Sequence, residues 1–173
     1  MARTAAKPPY RERTDAQKIL ANWAKTRGLL RKREYSMAIV RAAISVELAA
    51  NLVIRNEYGR AGEKSTDEID RLLVAANGMR GKFQRHILKI FKSTPQRAEV
   101  AGLNRLCVEI NDHRNSVVHS GLFKKKEEAR EVLEKAYSVI STMVPWYEVG
   151  FSLKRVPETF NSPSQRTGAS ARR

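Results

Sequence analysis

The sequence predicts an all-α protein, and three observations carry that expectation. Apolar residues recur three and four positions apart over most of the chain. Helix-start and helix-stop residues punctuate the pattern at intervals. No segment shows the strict apolar and polar alternation of a half-buried strand. At 173 residues the chain suits one compact domain with tails and is too short for two of full size.

The first helix is expected to start at Thr14, which with Gln17 forms a capping box. Ile19, Leu20 and Trp23 supply its apolar face, and Gly28 is its expected stop. A central helix follows over residues 33–58, with Met37, Val40, Ile44, Leu48 and Leu52 in an apolar surface that covers most of its circumference. Its polar residues Arg41, Ser45, Asn51 and Arg55 share one sector, with Glu47 at the edge; that sector is either the wet side of the helix or the lining of a cleft.

Ser65 and Glu68 make a second capping box before a helix that Asn77 and Gly78 should end. In residues 82–92, KFQRHILKIFK, a helical register puts Phe83, Ile87, Ile90 and Phe91 on one face. Lys82, Arg85, Lys89 and Lys92 fall on the other. The span from Arg71 to Ala98 holds seven basic residues, Arg71 included, and no acidic one, so this stripe has no local counter-charge. It reads either as a phosphate track or as an ordinary solvated face. Thr94 and Pro95 open the next helix, whose seam is Val100, Leu103, Cys107 and Ile110. A last long helix starts near Lys126, with Glu127 and Glu128 suited to its N-terminal dipole and Val132, Ala136, Val139, Ile140 and Met143 as its stripe. Glu131 and Lys135 stand at pairing distance along it. The expected architecture is a bundle of four principal helices with one or two short additional ones.

The formal net charge is +15, of which +8 belongs to residues 14–153. Residues 1–13 and 154–173 read as disordered basic tails. Such a charge favours polyanions, nucleic acid first among them. Cys107 is the single cysteine, so no intramolecular disulfide forms, and a reducing, cytoplasmic setting is expected. The start of the sequence has no apolar leader, and the most apolar stretch is interrupted by Arg41 and Glu47, so no membrane span is expected. Neither His nor Cys shows metal-ligand spacing, and no metal or other cofactor is expected.

One position breaks the pattern. Extending the Val100 to Ile110 seam leads to Arg114, where an apolar residue belongs. A guanidinium stays charged in any protein and is costly to bury unpaired, so Arg114 needs a carboxylate such as Glu47, a wet cleft or an interface. In an unbroken helix Arg114 and His119 point about 140° apart. Convergence then requires the helix to bend or end between them, or a second subunit to complete the site.

Arg114, Asn115, three intervening residues and His119 resemble the signature of HEPN domains, an arginine and a polar residue followed closely by a histidine. A long apolar helix (residues 38–54) precedes the motif and an amphipathic one follows, and the resemblance covers roughly residues 14–148. It implies a four-helix bundle that dimerises and brings two Arg and His pairs into one cleft. Many members of that family resemble metal-independent endoribonucleases of toxin, defence or RNA-processing systems, and others bind RNA or serve as scaffolds. The implied partners are RNA, a second copy of the chain and, for a toxin, a neutralising antitoxin protein.

On the enzymatic expectation, His119 moves a proton at a ribose 2′-hydroxyl or a leaving 5′-oxygen, since an ordinary imidazole titrates near pH 6.5. Arg114 stabilises charge on the phosphorane. Asn115 hydrogen-bonds a phosphate or orients the histidine, and Lys82, Arg85, Lys89 and Lys92 guide the backbone. His113 and His86 are expected to be bystanders. The alternative is a non-catalytic module that holds RNA or a protein. A DNA-binding accessory protein ranks lower, because no helix-turn-helix signature is evident.

Overall fold

The computed structural model describes residues 8–62 and 64–156. Among them the chain is helical and carries no strand. The helices are α1 (Asp15–Arg31), α2 (Tyr35–Ala61), α3 (Thr66–Ala75), α4 (Gly78–Lys82), α5 (Leu88–Ile90), α6 (Arg97–Ser120) and α7 (Lys126–Met143). A π-helical turn (Phe83–Ile87) joins α4 to α5, and 3-10 turns lie at Tyr10–Glu12 and Val144–Trp146.

Helix α2 lies at the centre, packed by α1, α6 and α7, with α3 and α4 also against it. Alanines at 38, 42, 43, 49 and 50 are buried and keep its surface low, which lets neighbouring backbones approach. By length and composition this helix is apolar enough to cross a membrane, with mean hydropathy 1.8, and 61% of that window is buried inside the protein. The packing accounts for its apolarity.

Both capping boxes form. Thr14 Oγ1 accepts from the Gln17 amide at 3.2 Å, and the Ser65 amide donates to Glu68 Oε2 at 2.8 Å. Helix α1 passes its expected stop at Gly28 by three residues and closes in a Schellman turn. The Glu34 amide donates to the Leu29 carbonyl and the Arg33 amide to that of Leu30. Arg33, at φ 63°, holds the left-handed position that glycine usually takes. On α1, Ile19 and Trp23 are buried as expected, while Leu20 is exposed. On α2, Met37 and Ile44 are likewise exposed. The α6 seam and the α7 stripe are buried throughout, and the Lys135 ammonium pairs with Glu131 and with Glu109 of α6.

The helical body reaches past residues 14–153 at both ends. Asn22 donates to the Tyr10 hydroxyl at 2.9 Å, Trp23 Nε1 donates to the Lys154 carbonyl at 2.8 Å, and Val156 is buried. The rest of the two expected tails, 1–7 and 157–173, lies outside the described residues.

Between α3 and α4 the backbone turns on Asn77 and Gly78, both at positive φ. The turn returns so tightly that a Cβ on Gly81 would lie 1.5 Å from the Ala76 carbonyl oxygen. Only glycine fits there, and that contact sets where α4 begins opposite α6.

Candidate functional site

Helix α6 runs unbroken through Arg114 and His119 and ends at Gly121, which has φ 63°. Its last turns form one wall of a cleft of about 410 Å³, with Asn111, Arg114, Asn115 and His119 as lining. Val40, Ala43, Ile44 and Glu47 of α2 line it too, and Asn77, Gly78, Met79 and Arg80 complete it.

Arg114 Nη1 donates to Asn115 Oδ1 at 2.9 Å and lies 3.3 Å from His119 Nε2. The expected divergence of the two side chains does not occur, although the helix neither bends apart nor ends between them. A rotation of about 140° describes where Cβ atoms point, and the arginine is long enough to swing across it. A guanidinium only donates, so His119 Nε2 accepts, and the neutral ring carries its proton on Nδ1. Both Nη1 hydrogens are thereby used. The Nε and Nη2 edge, the fork that matches two oxygens of a phosphate, makes no hydrogen bond to a described residue.

Arg114 is half-buried at the cleft, and no described carboxylate pairs with it. Glu47, the partner considered for it, binds the Lys82 ammonium instead. Asn115 holds the arginine and makes no hydrogen bond to the histidine among the described residues.

The basic stripe divides. Met79, Lys82, Phe83, His86 and Ile87 are all buried, at the three- and four-residue spacing of one helix face, so Lys82 belongs to the packed side. Its side chain is 6% exposed against 36% for Glu47. This pair stands beside an adjoining cavity of about 490 Å³, which shares Glu47, Asn77 and Gly78 with the cleft. Arg85, Lys89 and Lys92 are exposed and do not line the cleft, and Arg85 Nη1 donates to the Ala75 carbonyl at 3.1 Å.

His86 is buried with Nδ1 3.0 Å from the Tyr58 hydroxyl. Burial, then Lys89, Arg85 and Lys64, hold its pKa below the ordinary histidine value. His113 does not line the cleft, and its Nδ1 is buried without a described partner.

Arg80 is the cleft residue that the sequence pattern failed to single out. It belongs to the acid-free span before residue 98, yet only the tight turn at Asn77 to Gly81 places it with Arg114 and His119. Two arginines, one imidazole and three asparagine amides therefore line one open cleft, with a single carboxylate that is already engaged. Such a surface suits a phosphate ester: forked donors for its oxygens and a group able to exchange a proton. No group of three or more His, Cys, Asp or Glu placed to hold a metal ion occurs among the described residues.

No family model matches the chain, and comparison with curated proteins and with solved structures finds no significant match.

Proposed function

We propose that this chain is an RNA-directed, HEPN-like four-helix-bundle protein that cleaves RNA without a metal ion, at a cleft shared by two copies. The contact between Arg114 and His119 in an open polar cleft, with the guanidinium unpaired by any described carboxylate, carries the reading.

A scissile phosphate bound on the free edge of Arg114, with Arg80 beside it, draws the guanidinium toward its oxygens and frees His119 Nε2. That nitrogen takes the 2′-hydroxyl proton as the 2′-oxygen attacks phosphorus. The bond from phosphorus to the 5′-oxygen breaks, and a protonated His119 of the partner subunit delivers a proton to the leaving oxygen. The products are a 2′,3′-cyclic phosphate and a 5′-hydroxyl. Arg114 stabilises the charge that gathers on the phosphorane. Exposed Met37, Ile44, Val118, Leu122 and Phe123 on α2 and around the end of α6 support association with a second copy. A cytoplasmic toxin, defence or RNA-processing setting, with an antitoxin in the first case, goes with this proposal.

The test is incubation of labelled single-stranded RNA with the protein in EDTA. Arg114→Ala and His119→Ala should each lower the rate at least about 100-fold, the usual size of a charge-stabilising or acid–base contribution. Cleavage that requires a divalent ion, or that survives both substitutions, would refute the mechanism. A monomer at high concentration by light scattering would refute the shared cleft.

A second reading has its own observation. The Nε2 lone pair of His119 is occupied by an N–H of Arg114, and where that contact persists on binding, the ring is no base and the cleft holds RNA without cutting it. Binding retained by the parent without any cleavage supports that reading.

A further inference from the structure

A separate basic pocket lies between α1 and α2, lined by Lys25, Gly28, Leu29, Lys32 and Arg41, with a volume of about 290 Å³. Lys25 and Lys32 are two helical turns apart and share a face of α1. Arg41 comes from the second turn of α2. No carboxylate lines the pocket, and no described ion pair engages any of the three cations. Elsewhere the fold neutralises such groups: Arg55 lies between Asp15 and Asp70, and Lys135 between Glu109 and Glu131.

Arg41 is held by an amide instead. Its Nη1 donates to Asn22 Oδ1 at 3.1 Å, while Asn22 Nδ2 donates to the Lys18 carbonyl at 3.0 Å and to the Tyr10 hydroxyl at 2.9 Å. A backbone carbonyl only accepts and a guanidinium only donates, so chemistry fixes the orientation of this amide. Asn22 is 3% exposed. The guanidinium is thus positioned during folding and keeps its full charge for a ligand.

Gly28 is a second, independent pointer. It lies inside α1, where glycine weakens a helix relative to alanine. A Cβ there would meet nothing within 4 Å, so packing does not ask for a glycine. What the missing side chain leaves open is helix backbone in the wall of the pocket. The carbonyls at the end of α1 would repel an anion. The amides of Lys32, Arg33 and Glu34 engage those of Gly28, Leu30 and Leu29.

We propose that this pocket binds a backbone phosphate of single-stranded RNA, outside the cleft of Arg114 and His119. Arg41 supplies the positioned donors, and Lys25 and Lys32 add charge. The pocket is open to solvent, and on the RNA-directed reading proposed above, on which this inference rests, a phosphate seated there is one link of the strand that also enters the cleft. Val40, the residue before Arg41, lines the cleft, and a strand leaving it crosses α2, about 10 Å wide, to reach the pocket. Binding here does not depend on cleavage.

The test is an NMR titration that follows the Arg41 Nε–H and Gly28 amide signals. The probes are a 2′-O-methyl oligonucleotide, which lacks the attacking hydroxyl, and inorganic phosphate, each against chloride at matched ionic strength. The oligonucleotide should shift both signals saturably and bind more tightly than phosphate. Arg41→Gln, or Lys25→Gln with Lys32→Gln, should weaken oligonucleotide binding about three- to tenfold and lower the salt slope by about 0.7 for each lost contact. Arg114→Ala should leave the shifts at Arg41 and Gly28 in place, so failure here and failure of the cleavage reading are distinguishable. Gly28→Leu fills the pocket without lowering the melting temperature and should abolish the shift at Arg41. Response to phosphate alone, no response to either probe, or full binding by Gly28→Leu overturns the proposal.

Discussion

Replacing Glu47 with glutamine is expected to destabilise the protein more than replacing its partner Lys82 with methionine. Burial is the reason. The Lys82 side chain is 6% exposed, so without the carboxylate its ammonium stays in the packed side of α4 with no counter-charge. Removing one partner of a fully buried pair costs about 3–5 kcal/mol; this pair is part-buried beside a cavity, and the glutamine carbonyl still accepts one hydrogen bond, which reduces the cost to about 2 kcal/mol. Glu47 is 36% exposed and lines the cleft, so in Lys82→Met its carboxylate hydrates from that side. Methionine keeps the length and apolar contacts of the lysine stem, and the cost should stay within about 1 kcal/mol. The double variant should recover most of the loss of Glu47→Gln. Urea unfolding at pH 7, with slopes compared to confirm an unchanged transition, measures all three. Equal costs for the single variants, or a larger one for Lys82→Met, would refute the argument that the lysine is the trapped charge.

Gly81→Ala should cost about 3 kcal/mol or more in thermal unfolding, because its Cβ would meet the Ala76 carbonyl at 1.5 Å and the backbone itself must move. Arg33→Gly should stabilise by about 0.5 kcal/mol, since relief of a left-handed side-chain residue slightly exceeds the entropy cost of glycine; a lower melting temperature would count against the Schellman turn. His86 has a lowered folded pKa, so the unfolded chain takes up its proton first. Stability should therefore be level above about pH 6.5 and fall as pH drops from there toward the folded value. The groups around it are Tyr58, Lys64, Arg85 and Lys89, and His86→Gln should flatten that part of the profile; an unchanged slope would exclude His86 as its source.

Local signals made much of the fold legible. The capping boxes at Thr14 and Ser65 depend on side chains three residues apart, and both form where the sequence places them. The α6 seam and α7 stripe are periodic enough to define their buried faces. Apolar residues alone do not fix helical phase. The first half of the segment 78–90 turns Lys82 inward because Met79, Phe83 and His86 pack with it, and a π turn follows before Leu88. Leu20, Met37 and Ile44 satisfy the apolar pattern yet remain exposed. In the cleft, Arg114, Asn115 and His119 are legible as a local anomaly, but their convergence is not, because an angle between Cβ directions ignores the reach of arginine.

Composition and short-range spacing determined by themselves that the chain is helical, that it carries excess positive charge, and that an arginine and a histidine share the end of one helix. Which cations are paired with a carboxylate was decided only by the tertiary structure. Neutralisation needs a carboxylate from another part of the chain: Asp15 lies 40 residues from Arg55, and Glu47 lies 35 from Lys82. Periodicity carries no information over such separations, since they become contacts only when α2 is packed among its neighbours. The same packing leaves Arg41 held by the Asn22 amide and Arg114 by the Asn115 amide, two guanidinium groups positioned without being neutralised.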